Sequence, residues 1–158
     1  MRIREMTVDD LAELLDVQEA GAVVGLAAVF PQSRSPFPRE ILRARWQDEI
    51  ADADIGTYVA VDRDDDTIVG FAATKAGELL HFGTAIDTWG TGIAGRLLDE
   101  IVVVLRRASR EPSLRVFAEN RRGRRFYEKH GWQPTGESTV SVFEPHPVLL
   151  WYSLPPSD

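Results

Sequence analysis

The segment Asp87-Thr-Trp-Gly-Thr-Gly-Ile-Ala-Gly-Arg-Leu-Leu-Asp-Glu100 constrains the fold more than any other stretch of the chain. Gly90, Gly92 and Gly95 lead into Leu97, Leu98, Ile101, Val102 and Leu105, which recur at the spacing of one apolar helix face. A flexible loop that becomes an amphipathic helix presents free backbone N–H groups at the helix start, and those groups favour an anion. Phosphate chemistry is therefore expected, and the kind of phosphate depends on the remaining sequence.

With 158 residues and 44% apolar content, the chain has the length for one domain with a real core, spanning residues 1–158, and is short for two. The absence of cysteine excludes disulfides, thiolate metal sites and a cysteine nucleophile, and it fits a reducing cytoplasm. His81, His130 and His146 are scattered too widely to suggest a metal cluster, so no metal is expected. The charged opening Met1-Arg-Ile-Arg-Glu5 is unlike an apolar signal region, and no apolar run approaches membrane-spanning length. A soluble cytoplasmic protein without a membrane partner is the expectation.

The net charge of −7 is unevenly spread: residues 1–95 carry −9, residues 96–129 carry +5 and residues 130–158 carry −3. The positive block begins where the glycine loop ends, so an anionic ligand there gains from the local field. The acidic remainder favours a cationic partner, and the overall sign, with no recognisable binding module, disfavours nucleic acid.

Along the chain, Arg2 to Glu5 reads as a strand, and Thr7-Val-Asp-Asp10 as a helix N-cap with acids in the first turn. Leu11, Leu14 and Leu15 continue that helix toward Gly21 and Gly25. Pro31 to Pro38 cannot remain helical and reads as a loop, a connector or a substrate-side lid, before a second helix over Arg39 to Ile50. Thr57–Val61 and Thr67–Ala73 form a hairpin around the acidic turn Asp62–Asp66. Glu78–Thr84 is a strand leading to the glycine loop, Ser113–Ala118 follows the glycine-loop helix as another, Asn120–His130 is a short helix, and Gln133–Leu154 holds two further strands. These elements compose a mixed α/β sheet.

Gly90, Gly92 and Gly95 nominally satisfy the G-x-G-x-x-G dinucleotide pattern, and Glu119 even ends the next strand at the spacing of a ribose-binding acid. A dinucleotide fold, however, runs its first strand straight into the first glycine, whereas Thr84 to Trp89 intervenes here and too little chain follows to complete such a fold. No G-K-[ST] follows, which removes the triphosphate P-loop.

Trp89-Gly-Thr-Gly-Ile-Ala94 instead resembles the Q/R-x-x-G-x-G/A loop of the GNAT superfamily of acetyl-coenzyme A-dependent N-acetyltransferases, with Gly92 and Ala94 in register and Trp89 in place of the usual Gln or Arg. Asn120-Arg-Arg-Gly-Arg-Arg-Phe-Tyr-Glu-Lys-His-Gly-Trp132 resembles that superfamily's N-x-x-A/G-x-x-F-Y-x-x-x-G-F segment, with Trp132 for the final Phe. The resemblance covers nearly the whole chain. It implies a GNAT fold of the α/β (α+β) class: a central mixed, mostly antiparallel sheet of six to seven strands flanked by about four helices.

The same resemblance implies roles. Phe82, Gly83 and Thr84 would pair through their backbone with the pantetheine arm. Trp89, Gly90, Thr91, Gly92, Ile93, Ala94 and Gly95 would hold the pyrophosphate, and Asn120 would bond the coenzyme near its sulfur. Gly123 would let the helix approach the coenzyme, and Arg121, Arg122, Arg124 and Arg125 are candidates for the ribose phosphate, though at least two must point elsewhere around a helix. Tyr127 would be the general acid. Glu78, whose distance from the glycine loop matches the glutamate of histone-type members, would be the base, with His81 or water as the alternatives. The implied reaction moves acetyl directly to a primary amine of a small molecule or protein N-terminus, the acceptor expected to be cationic. A coenzyme A-binding sensor with little catalysis is the alternative, and a homodimer is left open.

Overall fold

The computed structural model describes residues 1–157. Seven strands, β1 (Arg2–Glu5), β2 (Gly56–Val61), β3 (Ile68–Lys75), β4 (Glu78–Thr84), β5 (Ser113–Phe117), β6 (Gln133–Val140) and β7 (Val148–Ser153), join one sheet in the order β1-β2-β3-β4-β5-β7-β6. Every pairing is antiparallel except that of β4 with β5. Four helices, α1 (Leu11–Gly25), α2 (Arg39–Ala51), α3 (Ile93–Ala108) and α4 (Arg121–Lys129), flank it. The mixed, mostly antiparallel sheet with four helices is the architecture expected from the sequence.

β3 shows how residue type selects position. Seven of its eight residues, Ile68 to Thr74, are buried, which fits a central strand covered on both faces. Its side chains feed two cores. On one face Val69 and Ala72 meet Leu97, Leu98, Ile101 and Leu105 of α3. On the other, Ile68, Phe71 and Ala73 meet Leu11, Leu14 and Leu15 of α1 and Leu42 and Trp46 of α2. Burying a leucine side chain contributes about 1.5–3 kcal/mol, so the α3 stripe alone anchors the glycine loop firmly to the sheet.

One N-terminal expectation shifts. Thr7 caps a short 3-10 turn over Val8–Asp10, and α1 proper begins at Leu11. Asp10 is held by the Arg4 guanidinium at 2.8 and 2.9 Å and accepts the Thr7 amide at 2.8 Å, so it ties β1 to the helix start.

The feature that positions the site is a short pairing. β4 and β5 are in register only at Glu78↔Ser113 and Leu79↔Leu114. Beyond Leu79 and Leu114 the two parallel strands part, and the facing edges of Leu80–Gly83 and Arg115–Phe117 open a wedge in the sheet with no strand between them. Among the described residues no helix is long and apolar enough to cross a membrane.

Candidate active site

The wedge widens into a cleft of about 970 Å³, lined on one side by α4 and on the other by α1, the loop before α2, α2 itself and the β6–β7 connection. β4 supplies side chains to both sides, and a bulge decides which of them point where. Ala73 pairs with His81 and Thr74 with Leu79, leaving Leu80 as the extra residue. In a regular strand Leu79 and His81 would share a face. The bulge re-aims His81 toward α2 while Phe82 turns toward α4.

On the α4 side, Phe82 stacks on Phe126 at 5.8 Å and meets Tyr127 edge-on at 6.4 Å, and Tyr127 in turn packs against Trp132 at 6.2 Å. This aromatic wall surrounds the phenol, and burial pushes the Tyr127 hydroxyl well above its ordinary value, so it stays protonated near neutral pH. No hydrogen bond among the described residues engages that hydroxyl.

Asn120 caps α4: its Oδ1 accepts the Gly123 amide at 3.0 Å. A Cβ on Gly123 would lie 2.5 Å from Asn120 Nδ2. The glycine therefore makes room for the capping amide, in addition to the close approach to a ligand expected from the sequence. Both residues line the cleft.

The glycine loop leads to the N-terminus of α3. Gly90 and Gly92 take φ of +81° and +89°, the left-handed region that favours glycine, and nothing within 4 Å would meet a Cβ on either. Gly92 is the N-cap without a side-chain cap, and no acid sits in the first turn. The first N–H groups of Ile93, Ala94 and Gly95 thus have no side-chain cap and carry the positive end of the helix dipole, which fits an anionic group. Thr91 is exposed and turns its hydroxyl back to the Thr88 carbonyl.

Trp89 does more than fill the place of Gln or Arg. Its indole Nε1 donates to the Thr84 carbonyl at 3.2 Å, its ring rests on Gly21 and Gly25 of α1, and the Arg122 guanidinium lies 3.5 Å over the ring centre. One side chain thereby joins α1, β4, the glycine loop and α4. It also occupies the Thr84 carbonyl, leaving Phe82 and Gly83 as the free part of the expected pantetheine edge. Of the four arginines of α4, Arg122 and Arg125 line the cleft, whereas Arg124 turns to Tyr152 Oη and the Ala118 carbonyl at 3.0 and 3.1 Å.

Glu78 sits apart from the rest. It begins β4, its carboxylate lies 3.7 Å from the Arg115 guanidinium, and it is not among the residues that line the cleft. His81 is. Its Nε2 reaches both oxygens of Glu49, at 2.8 and 2.9 Å, and its ring meets Trp46 edge-on at 4.9 Å. Burial is the dominant influence and lowers the His81 pKa, outweighing the Glu49 hydrogen bond that raises it. With Nε2–H donated to Glu49, a neutral ring presents Nδ1 as an acceptor.

Residues 25–132 match the model of the acetyltransferase (GNAT) family. The chain belongs to the GNAT acetyltransferase family. The fold agrees with solved structures. The PaiA N-acetyltransferase of Thermoplasma acidophilum, in complex with coenzyme A, is 22% identical with a TM-score of 0.70 over 95% of this chain and 96% of that one. The apo form of YjaB from Escherichia coli is 22% identical, TM-score 0.75, over 99% and 98%. The ribosomal-protein-alanine N-acetyltransferase of Brucella melitensis is 20% identical, TM-score 0.71, over 97% and 98%. No curated protein matches the chain in sequence.

Within this GNAT domain, sequence reasoning missed Glu49, Arg45 and the Trp89–Arg122 stack. A signal for the first existed: Leu42, Trp46 and Glu49 fall on one face of α2, so an acid rides on an apolar stripe. Gly21 and Gly25, four apart on α1, likewise marked a notch for a large side chain.

Proposed function

We propose that the protein transfers the acetyl group of acetyl-coenzyme A directly to a primary amine, with His81 as base and Tyr127 as general acid. The observation that carries this is that one cleft, opened by the parting of β4 and β5, receives a neutral imidazole from one side and a protonated phenol from the other. The positive φ glycines and the uncapped α3 N-terminus would take the pyrophosphate, and the free edge of Phe82 and Gly83 would pair with the pantetheine amides.

The chemistry follows from these groups. His81 Nδ1 takes a proton from the acceptor ammonium, and the freed amine attacks the thioester carbonyl. A C–N bond forms and the C–S bond breaks, the attacking nitrogen loses its second proton to solvent, and the Tyr127 O–H supplies the proton that the departing thiolate needs. Solvent then reprotonates the tyrosinate and removes the proton from the imidazolium. Glu49 acts through His81 by fixing the tautomer. Glu78, which lies beside Arg115 but does not itself line the cleft, is assigned no part in proton transfer.

Calorimetric titration with acetyl-coenzyme A, the nicotinamide dinucleotide as control, followed by thiol release with a panel of amines, tests the proposal. Binding of the first alone with amine-dependent release is the expected result. Binding without release from any amine would make the protein a coenzyme sensor, and no binding would end both readings. Glu78→Gln should leave turnover within about twofold of the parent, whereas a loss comparable to that of His81→Gln would return the base to Glu78.

A further inference from the structure

The charge of the cleft opposes that of the whole molecule. Arg34, Arg45, Arg115, Arg122, Arg125 and Lys129 line it, against a single carboxylate, Glu144. Glu144 is largely exposed and already accepts from His146 Nε2 at 3.0 Å. A cationic acceptor would thus find no buried anion in the cleft. Three of the cations, Arg122, Arg125 and Lys129, belong to α4 on the coenzyme side.

Arg45 and Arg115 are on the opposite side. On β5, Leu114 and Val116 enter the α3 core, so Arg115 between them points to the α2 face, just where β5 leaves β4. Neither guanidinium donates a hydrogen bond to any described residue, although each carries five N–H donors. Arg45 Nε is buried without a partner. Its nearest carboxylate, Glu49, has both oxygens on His81, which leaves Arg45 Nε at 3.5 Å. Arg115 is 3.7 Å from Glu78, beyond hydrogen-bond geometry.

Both guanidiniums are nevertheless held in place, by aromatic rings that take none of their donors. Arg45 lies 5.8 Å from the Phe143 ring centre and Arg115 5.3 Å from that of Trp151. Burial, with the charge of Arg115 adding to it, pulls the Arg45 pKa down. Both arginines also act on His81 in the same direction, so the three groups share one neighbourhood. Oriented guanidiniums with unused donors beside a base suit the bidentate recognition of a planar oxyanion.

We propose that Arg45 and Arg115 form a carboxylate-binding subsite, so that the acetylated amine belongs to a small molecule that also bears a carboxylate, as an amino acid does. This rests on the acetyltransferase function proposed above. It replaces the cationic acceptor that the acidic exterior suggested, because the field inside the cleft is set by its own lining.

The test is thiol release from acetyl-coenzyme A with the common L-amino acids, simple dipeptides, the matching amino-acid carboxamides and spermidine. At least one free amino acid or dipeptide should exceed its carboxamide by tenfold or more in kcat/KM, and the two sets tell a free amino acid from a peptide C-terminus as the source of the carboxylate. In Arg45→Gln and Arg115→Gln that ratio should collapse toward one, with acetyl-coenzyme A affinity, read by calorimetry, showing that the variants fold. The comparison on the parent protein needs no variant and stands if one misfolds. Carboxamides or spermidine turned over as well as the acids, no acid turned over at all, or a ratio that survives in both variants would each overturn the subsite. Turnover confined to spermidine or carboxamides would do so while leaving acetyl transfer intact, whereas failure to bind acetyl-coenzyme A would remove the underlying function.

Discussion

At the scale of single residues, the two groups proposed to handle protons are set by opposite effects of one cause. Burial raises the pKa of Tyr127 and lowers that of His81, and each shift favours the neutral form that the proposed acid and base would use. Removing the phenol in Tyr127→Phe should lower kcat by roughly 10²-fold or more, the usual contribution of a positioned acid, with little change in acetyl-coenzyme A affinity. For His81 the sign follows from linkage. Its folded pKa lies below the ordinary 6.5, so as pH falls through 6.5 the unfolded chain takes up a proton that the folded chain refuses. Stability therefore decreases below pH 6.5 until the folded pKa is reached. In His81→Gln this component of the acid destabilisation should vanish from urea titrations made between pH 5 and 7, and the acid limb of kcat/KM should go with it. A limb unchanged in the variant would place the base elsewhere. That Tyr127 and Asn120 would share one site was legible in the sequence because their neighbours form a local motif, and both line the cleft. The place of Glu49 on the apolar stripe of α2 was legible, but its pairing with His81 was not, because that partner lies 32 residues away on a strand whose bulge sets its direction.

Elements show the same division between local and distant causes. Strand and helix positions followed from periodicity and breakers: β1 and β4 span Arg2–Glu5 and Glu78–Thr84 as read, and α4 runs over Arg121–Lys129 with Asn120 as its cap. The parting of β4 from β5 and the bulge at Leu80 depend on pairing between strands distant in sequence, which no single segment specifies. Clearances around glycines give the sharpest tests here. In α1, a Cβ at Gly21 would meet nothing closer than the Thr84 carbonyl at 3.8 Å and the Trp89 ring at 3.9 Å. Gly21→Ala should thus stabilise the protein by about 0.5–1 kcal/mol through helix propensity alone. Gly123→Ala should act oppositely, because its Cβ would displace Asn120 Nδ2 from 2.5 Å and loosen the α4 cap. Thermal unfolding should show a loss of about 1 kcal/mol for the latter, together with weaker coenzyme binding. Equal effects of the two substitutions would mean that neither notch is tuned as the geometry indicates.

For the whole molecule, net charge and local field diverge. A chain of −7 carries its positive block, residues 96–129, on α3, β5 and α4, the elements that border the proposed coenzyme groove. An anionic coenzyme is thus drawn to a molecule that repels it on average, and the attraction must act at short range. Screening tests this directly, since the Debye length falls from about 10 Å at 0.1 M salt to about 3 Å at 1 M. The wedge between β4 and β5 supplies the other half of the expectation: a ligand that pairs with both free edges binds the folded chain alone and stabilises it by mass action. At a coenzyme concentration about 100 times its Kd the gain is ~2.7 kcal/mol. For a chain of this size each kcal/mol raises Tm by about 2–4 °C, so acetyl-coenzyme A should raise Tm by roughly 5–10 °C in thermal scans at low salt. At the same coenzyme concentration the shift should shrink in 1 M salt, and the nicotinamide dinucleotide should give none. A shift indifferent to salt would assign the binding to the pantetheine edge and relieve the positive block of any role, while equal shifts from both nucleotides would show that the glycine loop does not discriminate between them.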